Sequence, residues 1–352
     1  MFHSIVLFFV VLRSRRCSGN VVECIVMTHN WKAVLTSHCA KSAKPLVVVL
    51  GPTASGKTAF SLKIANHIHT HAAEVHEPPL HGRRMAEIIN ADSRQLYRGM
   101  DIGTAKISRQ EMSGIPHFLL DVLNPNEEVT AAWYKGEASR IIDDILQRGN
   151  VPILVGGSML YISALIDGLE FVAASDPFLR QELEDQYDAD EGVTLYEQLM
   201  EHDPATALAF SKNNKPYVIR AMEILRATGL KPSEAKSKGT CPWDVLIFGM
   251  QWPRGELAAR ITARTRQMLG AGWVEEVRSL LDCGYTIDDP GMKSHGYREI
   301  AEAILSQEEI DTDRLTEVIA AKSRQYAKRQ MTWWRADPRI TWLDAAEVLS
   351  LR

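Results

Sequence analysis

The sequence is poor in cysteine. Five occur in 352 residues, at 17, 24, 39, 241 and 283, an odd number with no Cys-x-x-Cys pair. That argues against a disulfide framework and a thiolate zinc site, and fits a reducing compartment. Long hydrophobic runs are also missing. The most membrane-like stretch is Ile5–Leu12, eight apolar residues followed by Arg13, Arg15 and Arg16, whereas a spanning helix needs about 20. No basic residue precedes this run and no clear small-residue cleavage site follows it, so it does not read as an export signal either. Neither charge sign dominates: 40 Lys plus Arg against 44 Asp plus Glu leaves a net charge of −4. A polybasic nucleic-acid binder is excluded on bulk charge, though a local basic surface is not. Internal repeats and low-complexity tracts are absent. A cytoplasmic monomer without membrane association is expected.

What remains is ordinary globular composition, 45% hydrophobic and 24% charged, long enough for one large or two modest domains. Residues 1–44 show no sustained periodicity and read as a disordered leader, or as an over-extended start with Met27 the initiator. From Pro45, Leu46-Val47-Val48-Val49-Leu50 is a continuous β-branched run, the mark of a strand buried on both faces. A helical pattern follows from about Thr58 to His69, then strands at Glu87–Ala91 and Val151–Val155 with a helix from about Ala131 to Gln147 between them. This alternation predicts an α/β fold with a parallel sheet. Residues 70–86 interrupt it with Pro78-Pro79 and histidines that lack metal-ligand spacing, a solvated loop. Residues 173–242 turn helical and charged, a small all-helical insertion that starts at Pro177 and leaves through a linker from Pro232 to Gly239. A returning strand at Trp243–Met250 and a mostly helical stretch, Glu256–Arg339, complete a core of 45–172 and 243–345.

Gly51-Pro52-Thr53-Ala54-Ser55-Gly56-Lys57-Thr58 matches GxxxxGK[ST], directly after a strand and opening a helix, which is the context that motif requires. Glycines let backbone N–H groups turn inward around phosphate oxygens, and the helix N-terminus adds partial positive charge. Lys57 brings an ammonium to the terminal phosphates, and the Thr58 hydroxyl is a ligand for Mg²⁺. The loop predicts a polyphosphate ligand without saying which.

The second strand ends in Asp92-Ser93-Arg94-Gln95-Leu96-Tyr97. Residues just past the carboxyl ends of strands in doubly wound sheets face the ligand crevice. Asp92 there could bind Mg²⁺, take a proton from an acceptor nucleophile, or cap the next helix. The third strand delivers Gly156-Gly157-Ser158, where an NTPase would often carry an aspartate. The Ser158 hydroxyl could stabilise charge developing on a leaving phosphate or cap the helix that follows. No NKxD-type guanine reader occurs, which argues against a GTPase.

Taken together, Gly51–Thr58, Ile89–Tyr97, Met100–Lys106, Leu154–Tyr161, Ser175–Pro177, Arg220–Glu223, Gly296–Arg298 and Gln325–Trp333 resemble the tRNA dimethylallyltransferases, also called tRNA isopentenyltransferases. The resemblance covers about 45–345 in order, and it implies a P-loop NTPase-like core. It implies transfer of the dimethylallyl group of dimethylallyl diphosphate to the exocyclic amine of the adenosine 3′ of the tRNA anticodon, with Mg²⁺. On that reading the loop holds diphosphate, Asp92 is the general base, and Ser158 stands where the family has a threonine. Arg260 and Arg264 fall in the helix that faces the pyrophosphate. The resemblance assigns the grip on the anticodon stem-loop to Asp92, Ser93, Arg94, Gln95, Arg180, Arg220, Lys293–Arg298 (with His295, Gly296 and Tyr297) and Ser323–Gln330. One departure concerns Pro216-Tyr217, where the family usually has Gln-Arg: Tyr217 replaces an RNA-facing arginine and could stack on a base.

The chain's own charge pattern agrees. Arg314 to Arg335 carries six basic side chains against the single acidic Glu317. At about 100° per residue, Arg324, Lys328 and Arg335 share a face within about 40°, with Leu315, Ile319, Tyr326 and Trp333 opposite as an expected core stripe. A basic face with a buried back suits a phosphate backbone or simply solvent, and the resemblance adds Gln325 and Arg329 to the tRNA contacts. Trp333 and Trp334 are read as core, and His295 as a hydrogen-bonded loop residue. A small-molecule kinase using Asp92 toward an acceptor hydroxyl is the alternative of a different reaction class. A non-catalytic RNA-binding protein with a relic phosphate loop is a third.

Overall fold

A computed structural model describes residues 31–71, 85–171, 176–234, 239–307 and 309–350. In chain order the elements are α1 (Trp31–Lys41), β1 (Pro45–Leu50), α2 (Lys57–His71), β2 (Ala86–Ala91), β3 (His117–Phe118), α3 (Ala131–Gln147), β4 (Val151–Gly156) and α4 (Met159–Ile166). Then follow α5 (Pro177–Asp190), α6 (Val193–His202), α7 (Pro204–Ala207), α8 (Lys215–Thr228), β5 (Asp244–Gln251) and α9 (Arg254–Gly270). The chain ends through α10 (Trp273–Asp282), α11 (Tyr297–Leu305), α12 (Thr312–Trp334), β6 (Ile340–Asp344) and α13 (Ala345–Ser350).

The strands form one parallel sheet in the order β3-β2-β4-β1-β5-β6. Every residue of β1, β2 and β4 is buried, as their continuous apolar runs require when both faces are covered. One face packs on α3, α4, α10, α11 and α12 through Tyr134, Ile142, Ile162, Val277, Ile300 and Trp334. The other packs on α1, α2 and α13 through Leu35, Phe60, Ile64 and Val348. From β1 the chain moves outward to β2, returns through β4 beside β1, and places β5 on β1's far flank. The loops after β1, β2 and β4 therefore converge on one carboxyl edge, where such sheets bind ligands.

The expected insertion is present as α5–α8, with its own apolar centre of Leu183, Leu195, Leu199, Val218 and Met222. Asp176 starts it, its carboxylate accepting from the Phe178 and Leu179 amides, with Pro177 in the first turn. The edge strands β3 and β6 are short or half-buried and left no clear apolar run to read.

Residues 31–44 correct the reading of a leader ending at 44. Trp31–Lys41 is a helix whose Trp31, Leu35 and Cys39 are buried against α2. Three contacts at helical spacing are enough to dock one face, although the helix has little amphipathic contrast, which is why it was illegible. The apolar run at Ile5–Leu12, Met27, and most of the loop at 70–86 lie outside the described residues. Two histidines of α2 just ahead of that loop do have partners: His67 shares a hydrogen bond with Thr36 Oγ1 at 3.1 Å, and His69 Nε2 accepts from the Ala86 amide at 2.9 Å. The Trp31 ring meets Phe60 edge-on at 5.2 Å between centroids and is 4% exposed. Replacing it with alanine is expected to cost about 3 kcal/mol of unfolding free energy, measured by urea denaturation.

Candidate active site

The phosphate loop is held open by its own surroundings. Gly51 sits at φ +151, and a Cβ there would lie 2.7 Å from the Met250 carbonyl oxygen. Ala54 adopts φ 61, a left-handed conformation. Two carbonyls of the loop are turned outward and occupied: Ser55 O accepts from Trp252 Nε1 at 3.1 Å, and Ala54 O from Arg260 Nε at 3.2 Å. The Arg260 guanidinium stacks over the Trp252 ring, 4.1 Å from its centroid, so the two side chains form one clamp. Lys57 folds back to donate to Gly51 O at 3.1 Å and Pro52 O at 2.9 Å. Burial pulls the Lys57 ammonium down to about 8, against the attraction of Asp92 and with the repulsion of Arg264. The same burial lowers Arg264, which Asp92 partly compensates.

Asp92 stands one residue beyond β2. Its Oδ1 accepts from the Arg94 amide at 2.9 Å, so it closes a turn and does not cap a helix. The buried Asn90 fixes it, accepting from the Asp92 amide at 3.0 Å and donating to Asp92 O at 2.9 Å. Ser158 precedes α4, yet its hydroxyl makes no cap; its Oγ accepts from the Ser93 amide at 2.9 Å. Asp92 and Ser158 are thereby brought to adjoining backbone. The Tyr326 hydroxyl reaches toward Gly157 O at 3.4 Å, and burial together with Asp92 pushes it up to about 12.

Two cavities meet at Asp92. One, of about 810 Å³, is lined by the loop residues Thr53 to Thr58 together with Gln95, Asp101, Arg264 and Gln267. The other, of about 180 Å³, has Ile261, Met268, Trp273, Ile319 and Tyr326 on its walls and His295 and Arg94 at its rim. Thr53, Ala54, Asp92, Thr104, Arg264 and Met268 belong to both. Of the two arginines left open by sequence, Arg264 faces the cavities, while Arg260 belongs to the clamp behind the loop. Exposed Thr58 opens onto the larger cavity, where its hydroxyl and the Asp92 carboxylate are hard oxygen donors that fit Mg²⁺, an ion that takes one or two protein ligands and fills the rest from substrate and water. Among the described residues no group of three or more His, Cys, Asp or Glu side chains could hold a metal by itself.

The residues proposed to grip RNA divide. Arg94, Lys293, His295, Arg298, Arg324, Gln325, Lys328 and Arg329 are exposed. Arg94 also donates to Pro290 O at 3.0 Å, Arg298 pairs with Glu302 at 2.9 Å, and Arg329 lies 5.6 Å from the Tyr326 ring centroid. His295 packs edge-on to Tyr326 with centroids 6.0 Å apart, and although the residue is exposed as a whole, partial desolvation of its ring lowers its pKa. Gln95 turns inward to donate to Thr104 O at 3.1 Å. In the insertion, Arg180 and Arg220 converge on the buried Glu223 at 3.4 and 2.9 Å, and Tyr217 is exposed beside Phe210. Gly296 and Tyr297 are interior: a Cβ on Gly296 would lie 2.0 Å from the Trp273 ring, and the Tyr297 hydroxyl donates to Glu276 at 2.5 Å. They shape the cavity from within and present no side chain to a surface. Trp333 departs from the core reading, 47% exposed with its indole N–H on Ser163 Oγ at 3.2 Å. Leu315, Ile319 and Trp334 are buried as expected, Tyr326 is half-buried, and Ala327 and Gln330 complete the buried side of α12.

Three site residues went unassigned or misassigned by sequence. Glu276 accepts from the amides of Asp101, Ile102 and Gly103 at 2.9, 2.7 and 3.2 Å, organising the second Gly-rich turn. Its only signal is an acidic residue in the first turn of α10, which is commonplace. Trp252 of the clamp had none. Gln330, included in the RNA stretch, is 1% exposed and joins the phosphate loop to the Ser158 loop.

Known proteins resemble this chain along most of its length. Residues 95–337 match the family model described as IPP transferase. The chain is 38% identical over 308 residues to the tRNA dimethylallyltransferase of Geobacter sulfurreducens, covering 87% of this chain and 93% of that one. It is 41% identical over 302 residues to its namesake from Geobacter metallireducens, covering 85% and 92%. Among solved structures, the tRNA isopentenylpyrophosphate transferase of Bacillus halodurans aligns with TM-score 0.60 at 34% identity, over 86% of this chain and 90% of that chain. A eukaryotic dimethylallyltransferase acting on tRNA aligns with TM-score 0.71 at 27% identity, over 86% and 74%. A phosphate loop, an aspartate and a serine on neighbouring strand ends, and likeness along most of its length make this chain a member of the IPP transferase family.

Proposed function

We propose that the chain transfers the dimethylallyl group of dimethylallyl diphosphate to the exocyclic amine of the adenosine immediately 3′ of the anticodon in tRNA, releasing diphosphate. The observation that carries this reading is the position of Asp92, on the wall shared by the cavity of the phosphate loop and an aromatic one. Diphosphate lies against the loop amides, Lys57 and Arg264, and the five-carbon tail against Ile261 and Met268. The allylic C–O bond breaks with its electron pair passing to the diphosphate, whose new charge Lys57 and Arg264 offset. The amine nitrogen forms the new C–N bond, and its proton passes to the Asp92 carboxylate. Ser158 assists at the same juncture, its oxygen fixed by the Ser93 amide. Thr58 is the residue that would hold Mg²⁺, which when bound would neutralise diphosphate charge.

The adenosine must leave its stack to enter the smaller cavity, at a cost of a few kcal/mol. Exposed Arg324, Lys328 and Arg329, with Lys293 and Arg298 nearby in sequence to His295, supply the basic surface for the anticodon stem-loop. Tyr217 offers an exposed ring on the insertion for stacking on a base. No helix among the described residues is long and apolar enough to cross a membrane, and the tRNA acceptor supports a cytoplasmic assignment.

The deciding experiment is transfer of labelled dimethylallyl diphosphate to unmodified tRNA, with and without Mg²⁺. Label on the anticodon-adjacent adenosine is the expected result; ATP turnover with unlabelled tRNA would favour a kinase. Asp92→Ala is expected to lower turnover about 100-fold or more while leaving tRNA affinity near wild type, as measured by single-turnover kinetics and filter binding. Because Lys57 in the free protein loses its proton near pH 8, diphosphate affinity should weaken as pH rises, by about tenfold from pH 7 to pH 9 when the bound form stays protonated. Calorimetry on wild type and on Lys57→Arg, in which the inflection should vanish, checks this. Arg324→Ala or Lys328→Ala should flatten the slope of log affinity against log salt by about 0.7 to 0.9 for each phosphate that is no longer neutralised. An unchanged slope would remove α12 from the RNA surface.

A further inference from the structure

We propose that Gln330 is a positioning residue for the transfer reaction, holding the phosphate loop and the Ser158 loop in one frame through the two ends of its side-chain amide. The inference rests on the reading of the site given above. Gln330 projects from α12 into the sheet's carboxyl edge and is 1% exposed. Its Oε1 accepts from the Thr53 amide at 3.0 Å, and its Nε2 donates to Gly157 O at 2.8 Å. A Cβ on Gly157 would lie 2.3 Å from that Nε2, so the glycine is what lets the amide approach.

Both partners lead directly to reacting groups. Thr53 is the third residue of the phosphate loop, and the bond from its amide ties that loop to α12. Gly157 precedes Ser158, whose Oγ takes the Ser93 amide next to Asp92. A single side chain thus sets the separation between the groups that receive diphosphate and the groups that receive the amine's proton. Tyr326, one turn earlier on α12, adds a long contact to the same Gly157 oxygen at 3.4 Å. The fit is also directional. A buried amide with one donor end and one acceptor end satisfies an N–H and a C=O together, which neither an apolar nor an ionised side chain of that length can do. Transfer between two bound substrates is sensitive to such spacing, with displacements near 1 Å costing about 100-fold in rate.

The test uses the full chain with two substitutions, Gln330→Met and Gln330→Glu. Four quantities are read: the single-turnover rate, KM for dimethylallyl diphosphate, the Kd for unmodified tRNA, and the Kd for inorganic diphosphate by calorimetry. For Gln330→Met the expected result is a rate about 100-fold lower, inorganic diphosphate bound several-fold more weakly, and tRNA affinity within about twofold of wild type. Gln330→Glu keeps the acceptor for Thr53 but sets a carboxylate against Gly157 O. Protonating that buried carboxyl restores the donor, so its rate relative to wild type should climb as pH falls from about 8 to about 6. If Gln330→Met does not fold, the acid rescue of Gln330→Glu carries the test alone. Wild-type rate and diphosphate affinity in a folded Gln330→Met overturn the proposal, as does a Gln330→Glu that tracks wild type at every pH. A parallel loss of tRNA affinity also overturns it, since Gln330 would then be an RNA contact. Should wild type transfer nothing to tRNA while Gln330→Met still weakens diphosphate binding, the prenyl-transfer reading falls and the placement of Gln330 stands.

Discussion

The close approach of β2 and β4 at their carboxyl ends governs the rest of the site. Gly156 lies opposite Ala91 in the ladder, and a side chain there would bring its first carbon within 2.1 Å of the Ala91 carbonyl oxygen. Only with that carbon missing can the chain leave β4 so tightly that Ser158 N donates to Ala91 O at 3.1 Å. The same tightness brings the Ser158 oxygen onto the Ser93 amide. With β1 on the other flank of β4, the phosphate loop, the aspartate turn and the serine turn share one rim. A wider separation there would leave three ordinary loops.

Around Asp92 two cations act on one carboxylate. Lys57 and Arg264 face the cavity with Asp92 as the acidic group that draws on both. Two half-buried cations tethered near one carboxylate form a site whose electrostatics are completed by an incoming anion. Rigid support makes that arrangement tolerable. The clamp of Trp252 and Arg260 behind the loop and Gln330 beside it hold carbonyls and amides in place before any ligand arrives, so little ordering remains to be done on binding.

Much of this was legible in the residues, for identifiable reasons. The strands β1, β2 and β4 announce themselves because burial on both faces demands unbroken apolar runs, and the phosphate loop because its spacing dictates its chemistry. Asp92 and Ser158 follow once the strand ends are known. The misread features depend on contacts far apart in sequence. Gln330 and Gly157 are separated by 173 positions, and Arg260 and Ala54 by 206, so no local pattern signals either bond. Trp333 and Trp334 differ by one residue and about 100° of helical rotation, yet the first is 47% exposed and the second 1%. Helix α1 has a docking face only three residues wide, and Ala33, Val34 and Ala40 among its other positions blur the contrast that Lys32, Ser37 and Lys41 would give.

Glu276 has a consequence for how a substrate can lie. The turn at 101–103 directs three successive backbone N–H groups at one point, the arrangement that elsewhere collects an anion. Here the protein's own carboxylate fills it. Two concave sets of amides therefore flank the shared cavity wall, one open in the phosphate loop and one plugged from α10. A molecule with an anionic head and an oily tail is offered a single seat for its head, and the reverse orientation meets donors already satisfied. Orientation along the cavity is thus decided by occupancy of the second nest as much as by attraction to the first.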